Sequence, residues 1–311
     1  MRYFVGVDIG GSHAEAAIVD DSGRELARGH GPGGVLREDS IDDVTEAVRE
    51  SVRDAVGSAG LELPAAALWV GLAGAGRESL RGRAEALLSE ADLAEAVGVG
   101  TDVKAAFESA FGDGPGLLLI AGTGSIALGR SPDGRMERVG GWGALLGDEG
   151  SGYWIAMRAL GCIARAVDGR AQPTALEDLL MGYLGLDDPY ALIPWTNRAS
   201  KAEVAALAPL VLEAARAGDS VAASIVTDAA AALRGHVIAL LERLEGGGDD
   251  PGASGADFPL VLWGGLIGEG GWLRSSLERL LEPLGLDYSS GPIDPAFGAA
   301  RLAAGLVRAS F

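Results

Sequence analysis

The feature of this 311-residue chain that most constrains its fold is a short pattern that occurs twice. Near the N-terminus an apolar, β-rich run from Tyr3 to Asp8 stops at Gly10 and Gly11 and is followed by a second strand, AEAAIVD. The run that begins at Leu117 stops in the same way, at the turn GTGS, and is followed by the strand IALGRS. Because helices follow both times, the pattern predicts two related α/β lobes rather than one singly wound nucleotide-binding sheet.

The length of the chain agrees with two lobes, because a single hydrophobic core stops growing at roughly 250 to 300 residues. Apolar periodicity and glycine or proline signals predict the remaining elements. They are a third strand at Glu25 to Arg28, an irregular loop from Gly29 to Asp39, a helix capped by Ser40, a buried strand from Leu68, a helix from Arg77 to Ala91, a strand ending at Asp102, a helix from Tyr153 to Val167, two helices between Ser200 and Glu245, a flexible segment over 246–257, a last strand PLVLW, and helices around Leu273 and Ala299. We expect a small N-terminal lobe over 1–103, a larger lobe over 104–294, and a C-terminal helix over 295–311 that returns to the first lobe.

Charge and composition exclude several classes of function. The formal net charge is −19, with 44 acidic residues against 25 basic ones, whereas nucleic-acid binding depends on clustered Lys and Arg. No apolar run reaches the roughly 20 residues that cross a bilayer, and the N-terminus lacks the pattern of a signal peptide. We therefore expect no nucleic-acid partner, no membrane and a cytoplasmic location. A single cysteine, Cys162, excludes an intramolecular disulfide and a full set of iron–sulfur ligands.

The first glycine turn, VDIGGSH, places a carboxylate at the end of a strand. Asp8 is followed at once by glycines, whose backbone N–H groups approach a phosphate without an intervening Cβ. Asp8 would then face a metal–phosphate group. The segment lacks the Lys-Ser/Thr pair of a P-loop and the strand-to-helix layout of GxGxxG. The alternative is a tight hairpin that uses Asp and Gly for turn geometry alone.

The second turn, AGTGS, adds hydroxyl groups from Thr123 and Ser125. A third small-residue pair, Gly264 and Gly265, follows the strand PLVLW. Together the three segments indicate two phosphate loops and one loop on the adenine side. Taken alone, Gly264 and Gly265 would be a strand-to-helix connection.

Asp102 ends a short strand between the two candidate phosphate loops. A phosphoryl-transfer enzyme needs a carboxylate that accepts the proton of the attacking hydroxyl, and Asp102 is the candidate for that base. The alternative is that Asp102 only caps the helix that follows it.

The glycine-rich stretch GGWGALLGDEGSGYW carries two neighbouring carboxylates, Asp148 and Glu149, just before a helix. They would either hold sugar hydroxyls together or complement the positive N-terminus of that helix. Trp142 and Trp154 in the same stretch are candidates for stacking on a sugar face, although core packing is the other explanation for Trp154.

These segments carry a resemblance to a known family. VDIGGSH, TDVKAAFESA, AGTGS, GGWGALLGDEGSGYWI, AGDSVAASIV and LVLWGGL resemble, in order and spacing, the BadF/BadG/BcrA/BcrD ATPase family and its N-acetylglucosamine and glucosamine kinase members. The resemblance implies an α/β, two-lobed actin-like ATPase fold, a duplicated ribonuclease H-like unit, with nucleotide in the cleft between the lobes. It also implies phosphorylation of an amino sugar, at the 6-hydroxyl, with ATP and Mg²⁺. We also expect a homodimer.

The resemblance assigns a role to each matching residue. Asp8, Gly10, Gly11 and Ser12 form the first phosphate loop, in which Asp8 organises Mg²⁺ through water. Gly122, Thr123, Gly124 and Ser125 form the second, while Gly264 and Gly265 flank the adenosine. Asp102 is the base, and the sugar ligands are Asp102, Thr123, Gly124, Gly141 and Asp148.

The chain departs from the family pattern in one loop. Related kinases carry an Asn that contacts the sugar, whereas this chain has Gly33 and Gly34. A missing hydrogen bond shifts selectivity by a few kcal/mol, so glucose and N-acetylmuramic acid stay open as substrates. An ATPase that activates a redox enzyme is a second possibility, which the single cysteine disfavours. A sugar-sensing regulator is a third, and it would need the DNA-binding helix-turn-helix and Cys-rich zinc motif that this chain lacks.

Overall fold

The computed structural model describes residues 1–11, 13–245, 258–289 and 291–308. Ser12 and the segment 246–257, which the sequence predicts to be flexible, lie outside the described residues. The chain divides into two compact units: unit 1 comprises Met1–Gly114 and Gly291–Phe311, and unit 2 comprises Pro115–Ser290.

Unit 1 is built on a five-stranded sheet with the order β3-β2-β1-β4-β5. The first three strands are antiparallel neighbours, and β4 and β5 run parallel to β1. Val and Ile side chains of β1 and β4 pack against α1 and α2 and form the core. The elements are β1 Tyr3–Ile9, β2 His13–Asp20, β3 Glu25–Pro32, α1 Ile41–Ala59, β4 Ala67–Leu72, α2 Glu78–Ser89, β5 Val97–Thr101 and α3 Asp102–Phe111.

Unit 2 repeats this topology, with the order β8-β7-β6-β9-β10. Strands β6, β7 and β8 are antiparallel, and β9 and β10 follow in parallel. Helices inserted between β8 and β9 supply most of its core. The elements are β6 Gly116–Ala121, β7 Ser125–Arg130, β8 Met136–Gly140, α4 Gly152–Val167, α5 Leu176–Leu184, α6 Leu192–Arg198, α7 Lys201–Ala205, α8 Ala208–Arg216, α9 Ser220–Glu245, β9 Leu260–Trp263, α10 Arg274–Leu281 and β10 Tyr288–Ser289.

The last helix, α11 (Pro295–Arg308), belongs to unit 1. It packs on β1, β2, β4 and α3. Two glycines allow the contact: a Cβ on Gly6 would overlap with the backbone of α11, and a Cβ on Gly298 would overlap with the backbone of α3. Because α3 packs on α11, unit 1 runs to Gly114, whereas the sequence-based division ends the first lobe at residue 103.

Several predicted boundaries differ from the observed ones. Strand β3 continues to Pro32, although residues from Gly29 onward were predicted to form an irregular loop. The reason is that Gly29 and Gly31 serve close packing on α1 and not a turn: a Cβ on Gly31 would lie 3.0 Å from the carbonyl oxygen of Ala47. Three helices, α7, α8 and α9, occupy the segment predicted to hold two, and β8 and β10 were not predicted.

Ser40 stands at the N-cap position of α1, but its side chain does not cap the helix. Its hydroxyl donates to the carbonyl of Val35 at 2.7 Å and accepts from the backbone N–H of Arg37 at 3.0 Å. Ser40 therefore fixes the loop that leads into α1.

Helix α9 is long and apolar enough to span a membrane by length and composition, although its sequence holds no continuous apolar run of that length. Its apolar residues pack in the core of unit 2, among them Ile225, Leu233 and Leu240. A buried core helix of a globular unit passes the same test, so this single helix is weak evidence for a membrane span.

Candidate active site

Three segments of unit 1 end at one edge of its sheet. Strands β1, β4 and β5 are parallel, with Asp8 opposite Gly71 and Leu72 opposite Thr101. This register brings the predicted site residues Asp8 and Asp102 to the same edge, with Gly71 between them. A Cβ on Gly71 would lie 3.3 Å from Cα of Asp102 and 3.4 Å from Oδ1 of Asp8. Sequence reasoning missed Gly71, because a glycine inside a strand carries no signal of what approaches it.

Asp8 is a largely buried carboxyl group, and its Oδ1 accepts no hydrogen bond from the part of the chain that the structure describes. Burial raises its pKa to about 7, and the negative charges of Asp102, Glu15 and Asp294 add to the rise. The turn after β1 is closed without it, by a bond of 3.1 Å from the N–H of Gly10 to the carbonyl of His13. Turn geometry therefore does not account for Asp8.

Arg28, a cationic side chain of the neighbouring strand β3, is already engaged by other acids. Arg28 pairs with Glu15 at 2.7 Å, with Glu25 at 2.6 Å and with Asp294. Asp294 also caps α11, because its Oδ1 accepts from the N–H of Phe297 at 2.9 Å. No cluster of three or more His, Cys, Asp or Glu residues with the geometry of a metal site occurs within the described ranges. A divalent cation at Asp8 would therefore complete its coordination with water and ligand oxygens.

Asp102 is the first residue of α3, and it is not the cap. Thr101 caps the helix, since its hydroxyl accepts from the N–H of Lys104 at 3.2 Å. The capping alternative for Asp102 is therefore wrong. Oδ1 of Asp102 accepts from the N–H of Val103 at 2.9 Å, and burial raises the pKa of the carboxyl group above its ordinary value. A raised pKa makes the carboxylate a better proton acceptor.

In unit 2 the second and third glycine turns lie together. Parallel pairing sets Ile120 of β6 opposite Trp263 of β9, so both strands reach their turns at the same edge. The N–H of Gly122 donates to the carbonyl of Gly124 at 2.9 Å. Gly264 has φ +99, and a Cβ there would lie 2.5 Å from the carbonyl oxygen of Ala121. Only glycine fits at this contact. Thr123 and Gly265 are exposed.

Asp148 lies beside the second turn. Its φ is +60, and the residue is 3% exposed. Oδ1 accepts from the backbone N–H of Ser125 at 3.2 Å. Nζ of Lys201 lies 2.7 Å from Oδ2 and forms an ion pair, but its direction does not make a hydrogen bond, so Oδ2 keeps acceptor capacity for another donor.

The side chain of Glu149 has other partners than that of Asp148. Its side chain is 45% exposed, with Oε2 3.9 Å from Nε2 of the buried His236. Its contact with the turn is through the backbone, where its carbonyl accepts from the hydroxyl of Ser125 at 2.7 Å. The two carboxylates thus have different partners, and their joint grip on a sugar stays a prediction.

Neither acid is needed to complement α4. Ser151 caps this helix by accepting from the N–H of Trp154 at 3.2 Å. The N–H groups of Gly152 and Tyr153 donate to the carbonyls of Gly122 and Thr123, at 2.8 and 3.4 Å. The helix N-terminus is thereby saturated by the turn itself.

The remaining predicted residues of the glycine-rich stretch have clear positions. Gly141, with φ +69, donates its N–H to the carbonyl of Ser125 at 3.1 Å, and a Cβ there would lie 2.5 Å from Ile126 Cδ1. Trp142 is 66% exposed, beside the Arg138 guanidinium at 5.4 Å. Trp154 packs against the core of unit 2, which agrees with the structural explanation.

Two α/β units of the same strand order, each with an aspartate beside a glycine turn, agree with the two-lobed ATPase fold that the sequence predicts. The chain belongs to the BadF/BadG/BcrA/BcrD ATPase family, whose profile matches residues 5–303. It is an ATP-using protein, and the predicted α/β fold is confirmed.

Three relatives match over nearly the whole chain. An N-acetyl-D-glucosamine kinase of Dictyostelium discoideum is 32% identical, over 96% of this chain and 97% of the relative. An N-acetylmuramic acid/N-acetylglucosamine kinase of Clostridium acetobutylicum is 29% identical, over 97% and 98%. The crystal structure of a protein of Chromobacterium violaceum described as an N-acetylglucosamine kinase is 33% identical, covers 97% of this chain and 99% of that one, and has a TM-score of 0.78.

Proposed function

We propose that the protein is an ATP-dependent hexosamine kinase, which transfers the γ-phosphoryl group to the 6-hydroxyl of N-acetylglucosamine or glucosamine. Support comes from the family, from relatives that are kinases of N-acetylglucosamine and N-acetylmuramic acid, and from one observation above all. That observation is the pair of partly buried carboxyl groups, Asp8 and Asp102, at one sheet edge, where the pKa of each is raised and Oδ1 of Asp8 accepts no hydrogen bond from the described residues.

Asp102 is the base in this proposal. Its carboxylate accepts the proton of the sugar hydroxyl while the hydroxyl oxygen bonds to the γ-phosphorus and the bond from that phosphorus to the β-phosphate oxygen breaks. ADP then leaves, and the proton stays on Asp102 until it passes to solvent. General base catalysis of this kind contributes about 10² to 10⁴-fold, and positioning contributes the rest.

Asp8 is the proposed partner of Mg²⁺. The fit rests on its Oδ1, a buried atom that accepts no hydrogen bond within the described part of the chain, because a hard divalent cation takes carboxylate oxygen and keeps several waters. When bound, Mg²⁺ neutralises charge on the phosphate oxygens. Asp8 holds the cation through water, and Gly10 and Gly11 leave room for phosphate beside the backbone of the first turn.

The glycine turns have separate tasks. Gly10, Gly11 and Ser12 form the first phosphate loop, with Ser12 outside the described residues. Gly122, Thr123, Gly124 and Ser125 form the second, and the adjacent Gly264 and Gly265 contact the adenosine. The supporting observation for the last two turns is their position at the ends of neighbouring parallel strands.

Asp148 is the proposed ligand of a sugar hydroxyl, together with Asp102, Thr123, Gly124 and Gly141. It is buried, and its Oδ2 keeps acceptor capacity. In the loop where related kinases carry Asn, the N–H of Gly34 donates to the carbonyl of Gly10 at 2.9 Å, and a Cβ at Gly34 would lie 2.8 Å from Val44 Cγ2. A side chain at Gly34 would require Val44 of α1 to move. In this loop, therefore, no Asn side chain contacts the acetamido or amino group at C2 of the sugar.

A coupled assay of ADP release tests the proposal. Mg-ATP is supplied with N-acetylglucosamine, glucosamine, N-acetylmuramic acid or glucose, and the 6-deoxy form of the best acceptor is the matched control. We expect turnover that depends on a hexosamine and is lost with the 6-deoxy sugar. ADP release that is independent of every acceptor would indicate the alternative function, an ATPase that activates another enzyme.

The proposal includes a homodimer in the cytoplasm. Light scattering after size-exclusion chromatography should give about twice the chain mass of 31.6 kDa. A value near one chain mass, at micromolar concentration, would contradict the proposed dimer but would not bear on the proposed kinase activity.

A further inference from the structure

A lysine that no motif singles out stands at the second glycine turn. The chain has only two lysines, Lys104 and Lys201. Nζ of Lys201 lies 2.7 Å from Oδ2 of Asp148, and the lysine side chain is 41% exposed while that of Asp148 is 4% exposed. A Cβ on Gly124 would lie 2.8 Å from the same Nζ, so the ammonium group rests against the turn as well.

Local structure fixes the place of Lys201. It is the first residue of α7, and Ser200 and Glu203 form a capping box that sets where the helix begins, with bonds of 3.2 and 2.7 Å. Helix α7 packs on α4. At that contact a Cβ on Gly152 would lie 3.3 Å from the carbonyl oxygen of Ala205 and 3.3 Å from that of Gly122. Glycine at 152 therefore lets α7 and the turn approach each other.

We propose that Lys201 is a positioning residue for the sugar: it holds the carboxylate of Asp148 in the orientation that accepts a sugar hydroxyl. This inference rests on the proposed hexosamine kinase activity. A buried carboxylate loses its hydration and needs a compensating charge, which the backbone N–H of Ser125 supplies only in part. The ion pair supplies that charge from one side of Asp148 and leaves Oδ2 able to accept from the acceptor substrate.

The competing role for Lys201 is a direct contact with the phosphates of ATP, as lysines make in other kinases. The exposed part of the side chain permits it. The observed pairing with a buried acid favours the sugar side, because an ammonium group held at 2.7 Å from a carboxylate has part of its charge neutralised. Kinetics separate the two roles.

The first experiment measures steady-state kinetics of Lys201→Met, Lys201→Arg and the control Lys104→Met. Lys104 is in unit 1, with its ammonium 6.0 Å from the centroid of the Trp69 ring. For Lys201→Met we expect the KM of the hexosamine to rise about 10-fold, with the KM of Mg-ATP within about 2-fold of wild type. Lys201→Arg should recover most of the loss, because it restores the charge with a different geometry. A raised KM for Mg-ATP with an unchanged KM for the sugar would overturn the inference in favour of the phosphate contact.

A double-mutant cycle with Asp148→Asn tests whether Lys201 acts through Asp148. We expect the double variant to bind the sugar within about 3-fold of Asp148→Asn alone, because the lysine has nothing left to orient. Multiplication of the two single effects would overturn the inference. Melting temperatures of all variants show whether a loss is due only to unfolding.

Amine labelling followed by peptide mass spectrometry tests the pair without any turnover. The two lysines are labelled side by side in one chain, so Lys104 is the internal reference. Lys201 should react several-fold more slowly than Lys104, and Asp148→Asn should speed up Lys201 alone. Equal rates in wild type and variant would show that the ion pair does not form in solution. Absence of turnover in wild type would sink the kinase proposal, while this measurement would still decide whether Lys201 holds Asp148.

Discussion

Unit 1 and unit 2 each hold an aspartate beside a glycine turn, but of these two only Asp148, in unit 2, forms an ion pair with a cationic side chain among the described residues. Oδ1 of Asp8 in unit 1 accepts no hydrogen bond from the described residues, and the pKa of Asp8 is raised to about 7 by burial and by neighbouring acids. Asp148 in unit 2 has Lys201 at 2.7 Å and the N–H of Ser125 at 3.2 Å. The same topology has therefore produced two opposite electrostatic environments.

The difference indicates what each aspartate receives. A carboxylate without a cation in a buried position is an incomplete site that a divalent metal ion completes. A carboxylate with its charge already balanced is suited to a neutral partner, such as a sugar hydroxyl, because binding does not require a further change of charge. On this basis we propose that Asp8 and Asp102 of unit 1 serve the metal ion and the proton, and that Asp148 of unit 2 binds a hydroxyl of the acceptor.

The largest expected effect concerns the base in unit 1. Asp102→Asn keeps the size and the polar atoms of the side chain but removes the proton acceptor, so kcat should fall by about 10³-fold. Mg-ATP affinity, measured by calorimetry, should stay within about 3-fold. The matched control is Asp113→Asn, an exposed aspartate just beyond α3, which should retain full activity. If Asp102→Asn stays active, Asp102 is not the base. The proposed difference in role between Asp102 and Asp148 would then be wrong as well.

Asp148→Asn should give the next largest effect, and it should appear on the sugar alone. Asparagine tolerates the observed φ of +60, so the backbone is preserved, but the ion pair with Lys201 is lost. We expect the KM of the hexosamine to rise about 10²-fold with little change in the KM of Mg-ATP. A variant whose nucleotide binding fails together with its sugar binding would show that the turn itself has collapsed.

Stability against pH should report the environment of Asp8 without any substrate. The folded pKa of Asp8, about 7, lies above the ordinary value of 3.8. Between these values the folded state binds more protons than the unfolded state, so the free energy of unfolding falls as pH rises, and the loss is complete above pH 7. In EDTA, Asp8→Asn should therefore be more stable than wild type at pH 8, by about 4 kcal/mol, and the advantage should vanish toward pH 4.

Asp20→Asn is the control with the opposite sign. A hydrogen bond from the hydroxyl of Ser22 lowers the pKa of Asp20, so its contribution to stability is present at neutral pH and is lost as pH falls. Asp20→Asn should be less stable than wild type at pH 8. Chemical denaturation at four pH values measures both differences. Equal behaviour of the two variants would show that Asp8 carries no raised pKa.

The sequence was sufficient for the duplicated strand and glycine-turn pattern, because strand periodicity and glycine punctuation are local properties. It was also sufficient to select Asp8, Asp102 and Asp148 as candidates, with the resemblance supplying their roles. It could not show that Thr101 and not Asp102 caps α3, because both residue types cap helices.

Other features depend on contacts between distant segments. The lysine at 201 meets Asp148 only after α7 packs on α4, and nothing in the local sequence of Lys201 indicates that partner. The glycines at 29 and 31 have the appearance of loop residues, yet they stand in a strand that packs closely on α1. A glycine in the sequence can mean that there is no room for a side chain, but only the fold shows which neighbour takes up that room.

Gly71 applies that lesson to the site, and its effect should be the smallest of these. It separates Asp8 from Asp102, and a Cβ at 3.3 Å from Cα of Asp102 and from Cβ of Ala105 is tight without being prohibitive. Gly71→Ala should therefore push the two acids apart by a few tenths of an ångström and lower kcat about 10-fold, because base and metal ligand must hold their geometry closely. The control is Gly82→Ala in α2, where a Cβ meets nothing within 4 Å and the helix gains stability. Full activity of Gly71→Ala, with unchanged stability, would mean that the reaction does not depend on the distance between Asp8 and Asp102.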